Sequence, residues 1–499
     1  MRVLASLSAI LLAVAPVGSS AQFATISAPS NGNSIPNFTN NGGLPKWKAC
    51  LAKVKAGTGS CTILVGGEST PAGNGCAYQS PNSNYSRACS WPSQIAALLA
   101  QAGIASSANA VMGNAGATGG TTFTSYQAYD PRLTLNSWVI NTTQPLIGQG
   151  AFQSKTTGSG VLTFNPTNGT AFPSATAIQT DTLDVYWLAY ASGSGDVASI
   201  NVNGGASLGT LVDNGGTGTG LLKKTFSTTL GTNSWGFTNT TNGFDGSYVQ
   251  GLIAYNSAIP QVKVVNGGWG GAKITNWSNT SLGFGGPIAM IQLMAPDLCI
   301  WQDMGNDLLV TSIPNYITAY EAVITACQAS GDFLVVNSQP ASPTVLSFTA
   351  STATNVLTVT GSVTGGNLIV GHTINGAGIP AGTTIASLGT GTGQAGTYNL
   401  SATVGTIGSE SMTAGSSYAT QQTYAAAGQT IATAMNVPIL DWWQYLCGWN
   451  GSVCTKGGWT ANMQAGWNGN CCTAAADVAH NGGVLYGIEA TYISQILMQ

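Results

Sequence analysis

Short apolar runs that end in glycine or a polar turn alternate along much of this chain with stretches of helical periodicity. That alternation restricts the fold more than any other feature. Residues 62–66, 297–302, 333–337 and 437–441 read as strands, and 91–102, 316–329, 424–435 and 484–498 read as helices. Strands joined through helices run parallel, because a parallel pair needs a long crossover that a helix supplies. The pattern therefore predicts an α/β fold built on a doubly wound parallel sheet.

Two tracts break the alternation. Residues 130–262 show short alternating strands with Gly and Asn turns, the texture of an inserted antiparallel β-sandwich. Residues 344–414 have the same texture on a smaller scale, and His372 and Glu410 are their only side chains among Asp, Glu, Lys, Arg and His. The α/β segments are then 22–129, 263–343 and 415–499. Ligands bind beyond the carboxyl ends of the strands in an open parallel sheet, and both inserts leave from that side. They are expected to rise around the site edge and shape access to it.

The N-terminal segment reads as an export signal over residues 1–21. Arg2 supplies a positive start, an apolar run follows, and Ser19-Ser20-Ala21 offers small residues for cleavage. That run is too short to span a bilayer, and no later stretch is long and apolar enough to do so. A secreted protein without a membrane span is expected. Charged residues make up only 6% of the chain and the net charge is −3, with no Lys/Arg cluster. Electrostatic capture of nucleic acid or anionic lipid is thereby excluded as a reading. Thirteen Trp and sixteen Tyr leave two readings open, sugar-stacking platforms or ordinary core packing.

After export, the ten cysteines read as disulfides. Their clustering suggests Cys50 with Cys61, Cys76 with Cys89, and a set among Cys447, Cys454, Cys471 and Cys472. Connectivity does not follow from sequence. Cys299, in an apolar run, is expected as a buried thiol. Two distant histidines and the lack of paired C-x-x-C motifs argue against zinc, and no metal or cofactor is called for.

Scarcity makes the histidines informative. His480 follows Asp477 by three residues, in a loop that enters the last helix. A carboxylate so placed can hold one ring nitrogen and leave the other free as a base. Upstream, Ile63-Leu64-Val65-Gly66-Gly67-Glu68-Ser69 is a strand running into glycines and then a serine. Such a turn projects a hydroxyl over the sheet's carboxyl end, although a helix N-cap serine gives the same pattern. The strand ending in Gly305-Asn306-Asp307 places an amide where it can donate to an oxyanion. His372 has no carboxylate beside it in sequence and is expected at the surface.

Together the Ser69 element, the G-N-D at Asn306 and the terminal D-x-x-H resemble the SGNH/GDSL hydrolase family. The resemblance covers the β/α segments and neither insert, and it departs at Glu68, where the family motif usually has Asp. It implies a three-layer, flavodoxin-like core. Ser69 would be the nucleophile, His480 its base, and Asp477 the group that orients His480. The Ser69 N–H and the Asn306 side chain would contribute to the oxyanion hole. A further donor comes from a glycine loop of the form N-x-G-x-x-G, which occurs twice, at Asn114–Gly119 and at Asn266–Gly271. One helix's length separates Gly271 from Asn306, whereas the whole sandwich tract lies between Gly119 and Asn306. Spacing favours Gly271, with Gly119 as the alternative.

The resemblance implies a secreted serine esterase that works through an acyl-enzyme. An acylated polysaccharide, carrying acetyl or other short acyl groups, is the preferred substrate class. Two other readings stay open: acetyl transfer to a glycan hydroxyl, and a non-catalytic glycan-binding protein with a hydrolase-like core.

Overall fold

The computed structural model describes residues 35–499 apart from 75–86, 88–89, 114–125, 127–128, 143–145, 155–159, 167–177, 190–196, 213–219, 242–246, 309, 341–343, 381, 417 and 456–482. The export signal, Gly119, Asp477, His480, Cys76, Cys89, Cys471 and Cys472 lie outside the described residues.

Seven strands form the central sheet. Numbered along the chain within that sheet they are β1 (Phe38–Thr39), β2 (Cys61–Gly67), β3 (Ser106–Ser107), β4 (Val262–Asn266), β5 (Leu298–Asp303), β6 (Asp332–Asn337) and β7 (Ile439–Leu440). Their order in space is β1-β7-β6-β5-β2-β4-β3. Every pair is parallel except β1 with β7. The chain builds outward from β2 in both directions, toward β4 on one side and β5 on the other. The crevice at the carboxyl end of β2 is thus a topological switch point.

Burial on both faces explains the uninterrupted apolar character of these strands. Ile63 and Val65 of β2 face one core, shared with helices α1 (Pro45–Lys55), α3 (Trp91–Gln101), α8 (Trp442–Cys447) and α9 (Gly483–Met498). Leu64, with Trp301 and Val335, faces the other, shared with α4 (Ile274–Trp277), α5 (Gly286–Met294), α6 (Ile313–Gln328) and α7 (Tyr418–Ala434). The layers are helix, sheet, helix. Between β2 and α3 lies a single helical turn, α2 (Ser69–Ala72).

Strands between Leu133 and Tyr255 form two antiparallel sheets of five strands each, and Ala110–Met112 adds a sixth to one of them by pairing with Gly251–Ile253. The strand Thr180–Ala189 is apolar on both faces for a reason. Val185 and Trp187 face the partner sheet, whereas Tyr186 and Leu188 join the α/β core. Thr344–Ala353 and Ile407–Ser416 centre another six-stranded antiparallel sheet with its own small core.

Three disulfides are described: Cys50–Cys61, Cys299–Cys327 and Cys447–Cys454. Cys299 is therefore bridged, not a free thiol. Its partner lies on α6, too far along the chain for local clustering to reveal. Among the described residues the tryptophans and tyrosines are buried or half-buried. Core packing accounts for the buried rings.

Candidate functional site

The carboxyl ends of β2, β4 and β5 deliver three loops to one place. After β2 the backbone turns at Gly67, whose φ is +116°, and a Cβ there would lie 1.8 Å from the Gln302 carbonyl oxygen. Gly66 is as constrained, since its Cβ would strike the Trp301 ring at 2.1 Å. Only glycines let the strand turn this tightly against β5. Glu68 is the N-cap residue of α2, and Ser69, 6% exposed, begins the helix.

The loop after β4 packs onto that helix. Asn266 donates from Nδ2 to the Pro71 carbonyl (2.8 Å) and the Ser90 hydroxyl (3.1 Å), while its Oδ1 accepts from the Gly268 N–H (3.0 Å). Trp269 N–H donates to the Gly67 carbonyl at 3.0 Å. Gly268 has no room for a side chain, because its Cβ would lie 2.3 Å from the Ala72 nitrogen. Gly271 sits in the left-handed region at φ +77° with open space on its Cβ side.

From β5 comes the third loop. The Asn306 Nδ2 donates to the Ala272 carbonyl at 2.9 Å, and the Asn306 N–H donates to Glu68 Oε2 at 3.1 Å. Ser69, Gly271 and Asn306 are thus joined through their immediate neighbours. Glu68 also accepts from the Ser338 hydroxyl at the end of β6. Its longer side chain, the departure noted in the sequence, reaches turns from two other strands. Gly305 leaves room for it, since a Cβ there would sit 2.7 Å from Glu68 Oε2.

Several supporting residues escaped the sequence reading. Gln339 donates to the Thr70 hydroxyl at 2.8 Å, just after the nucleophile candidate. Asp307 accepts from the Ile274 N–H at 2.9 Å, locking the asparagine turn to α4. Asp303 is fully buried beside Asp307 and Glu68. Burial, then those like charges, pushes its carboxyl well above the usual range, and burial raises Asp307 as well. The signal available in sequence was the run of polar residues immediately after the apolar strands, Asn337-Ser338-Gln339 and Gln302-Asp303.

Asp477 and His480 lie outside the described residues, but the helix they precede does not. Tyr486 in α9 donates to the Asn74 carbonyl, and the Asn74 N–H donates to the Ser69 carbonyl at 3.0 Å. Gln302 of β5 joins the same helix to the sheet, donating to Glu489 Oε1 at 2.6 Å while accepting from Trp91 Nε1 at 2.8 Å. The amino end of α9 is therefore anchored at the loop that follows α2. His372 departs from expectation. It is 0% exposed, and it lies against Leu308 just past the asparagine turn. Cys50, Cys61 and Asp297 bring ligand-type atoms within 4.8 Å of one another, but both sulfurs are held in a disulfide.

No protein-family model and no curated protein matches the chain. Among solved structures it is similar in fold to a peptidoglycan O-acetylesterase, with a TM-score of 0.52 and 14% identity over 92% of this chain and 97% of that one. A two-domain esterase active on acetylated mannans matches over 26% of this chain and 35% of its own, at 14% identity and a TM-score of 0.19. A family 35 carbohydrate-binding module from Paenibacillus barcinonensis matches over 25% of this chain and 94% of its own, at 20% identity and a TM-score of 0.18. The chain thus has a mixed α/β fold of the kind seen in an esterase.

Proposed function

We propose that the chain is a secreted serine ester hydrolase of the SGNH type that removes acetyl or other short acyl groups from a polysaccharide. One observation carries this reading: the three loops bearing Ser69, Gly271 and Asn306 meet at the switch point of the sheet, linked through Glu68 and Ala272. In this reading residues 130–262 and 344–414 are insertions into one catalytic unit.

His480, oriented by Asp477, takes the Ser69 proton as the hydroxyl attacks the ester carbonyl. The oxyanion is held by the N–H groups of Ser69 and Gly271 and by the Asn306 amide. As the intermediate collapses His480 returns the proton to the departing sugar oxygen, and water then hydrolyses the acyl-serine with the neutral His480 again as base and the proton passing back to Ser69. The anchoring of α9 beside Asn74 supports a short reach from its amino end to Ser69. A fold shared with a peptidoglycan O-acetylesterase supports the substrate class.

Ser69→Ala is expected to lower kcat on p-nitrophenyl acetate by on the order of 10⁴–10⁶ and to abolish labelling by a fluorophosphonate, with the melting curve retained. Undiminished turnover by the folded variant would reject the assignment.

A further inference from the structure

The small six-stranded module sends one loop into the core of the α/β unit. Most of its apolar residues belong to a separate core, yet Ile369 is buried in the same cluster as Met304, Leu308 and Tyr424. Three residues on, His372 is fully enclosed. The Ile369 N–H donates to its Nδ1 at 3.4 Å, so Nδ1 is the acceptor nitrogen and Nε2 carries the hydrogen. That Nε2 lies 3.3 Å from the Leu308 carbonyl oxygen. Burial lowers the His372 pKa and keeps the ring neutral, which preserves this tautomer.

Leu308 closes the asparagine turn. Both Asp307 and Leu308 donate their N–H groups to the Met304 carbonyl, at 3.1 and 3.2 Å, so residues 304–308 form one compact loop. Glu68 holds that loop through the Asn306 N–H and α4 holds it through Asp307. The Leu308 carbonyl points to the module instead.

We propose that His372 is a positioning residue for the ester-hydrolysing site: its Nε2–H fixes the Leu308 carbonyl and, through the 304–308 loop, the aim of the Asn306 amide. This rests on the function proposed above. The module then acts on the reaction step itself and not only on access, because an oxyanion donor must be held in place before charge develops on the substrate.

The test compares kcat and KM on p-nitrophenyl acetate for wild type, His372→Phe, His372→Gln, Asn306→Ala and the His372→Phe/Asn306→Ala double variant. His372→Phe keeps a ring but has no donor, and is expected to lower kcat about five- to tenfold with KM within about twofold. His372→Gln, whose amide reaches the same carbonyl, should recover most of the loss. In the Asn306→Ala background His372→Phe should cost nothing further, because the group it positions is gone. A merely structural role predicts equal factors in both backgrounds, and that result would overturn the proposal. So would a Gln variant as impaired as the Phe variant. If His372→Phe does not fold, His372→Asn replaces it, since its shorter amide falls short of Leu308, with the same expectations. Ser69→Ala separates the two failures. Full activity in that variant removes the hydrolase reading and this inference with it, whereas an inactive Ser69→Ala beside additive His372 effects removes this inference alone.

Discussion

Glu68 and Asp303 show how single side chains prepare the site. The carboxylate of Glu68 reaches loops from β5 and β6, so the turn before Ser69 is braced from two strands at once. Asp303 beneath it has the opposite problem, being buried among other carboxyls. Its folded pKa is raised, so the native state binds more protons than the unfolded chain between the two pKa values. That stabilisation is complete below the unfolded value of about 4 and is lost as pH rises through the folded value. Asp303→Asn mimics the protonated form and should flatten the fall in Tm expected of the wild type as pH rises above the unfolded value of about 4. Parallel Tm–pH profiles for the two proteins would mean that Asp303 ionises without cost. Much of this residue-level detail was illegible in the sequence. The serine, the glycine loops and the asparagine could be picked out because each follows an apolar run and ends it. The burial of His372 could not, since it depends on a module docking far from its own position in the chain.

At the scale of elements, the long apolar strands were readable because sheet burial on both faces removes polar residues from them. β1 and β3 were not, for neither pair lies in an apolar run of the kind that made the equally short β7 readable within residues 437–441. Nor was the link between β5 and α6. Cys299 sits near the start of its strand and Cys327 near the end of the following helix, and their disulfide clamps the crossover that carries the asparagine turn. The loop it closes spans 28 residues, for which chain entropy gives about 3–4 kcal/mol. Replacing both cysteines with alanine should lower the unfolding free energy by about that amount in urea titration. A loss under about 1 kcal/mol would show that packing alone secures α6.

Across the whole molecule, the antiparallel sheets are tied to the α/β core and not tethered by a linker. Asp130 lies in a buried ion-pair knot, 2.9 Å from Arg132 and 3.2 Å from Arg87, and these arginines also bond carbonyls of Ala108, Ala110 and Met112. The neighbouring Tyr129 hydroxyl donates to the Ala72 carbonyl at 2.9 Å, at the end of α2. Burial opposes charge on Asp130, but Arg132 and then Arg87 outweigh it and hold its carboxyl below the usual range. Its contribution is present above the unfolded pKa and fades as pH falls through the folded one. Asp130→Asn strands two buried guanidinium groups and should cost about 3–5 kcal/mol at neutral pH, read by denaturant unfolding. A cost near zero would show that the knot is bypassed. The strand order has another consequence, for the assembly of the chain. β2 pairs with β4 only after the intervening antiparallel sheets have been made, and β1 waits for β7 close to the carboxyl terminus. The described disulfides, by contrast, span no more than 28 residues. The cross-links can therefore close segment by segment, while the central sheet, and with it the meeting of the three site loops, needs segments far apart in the chain.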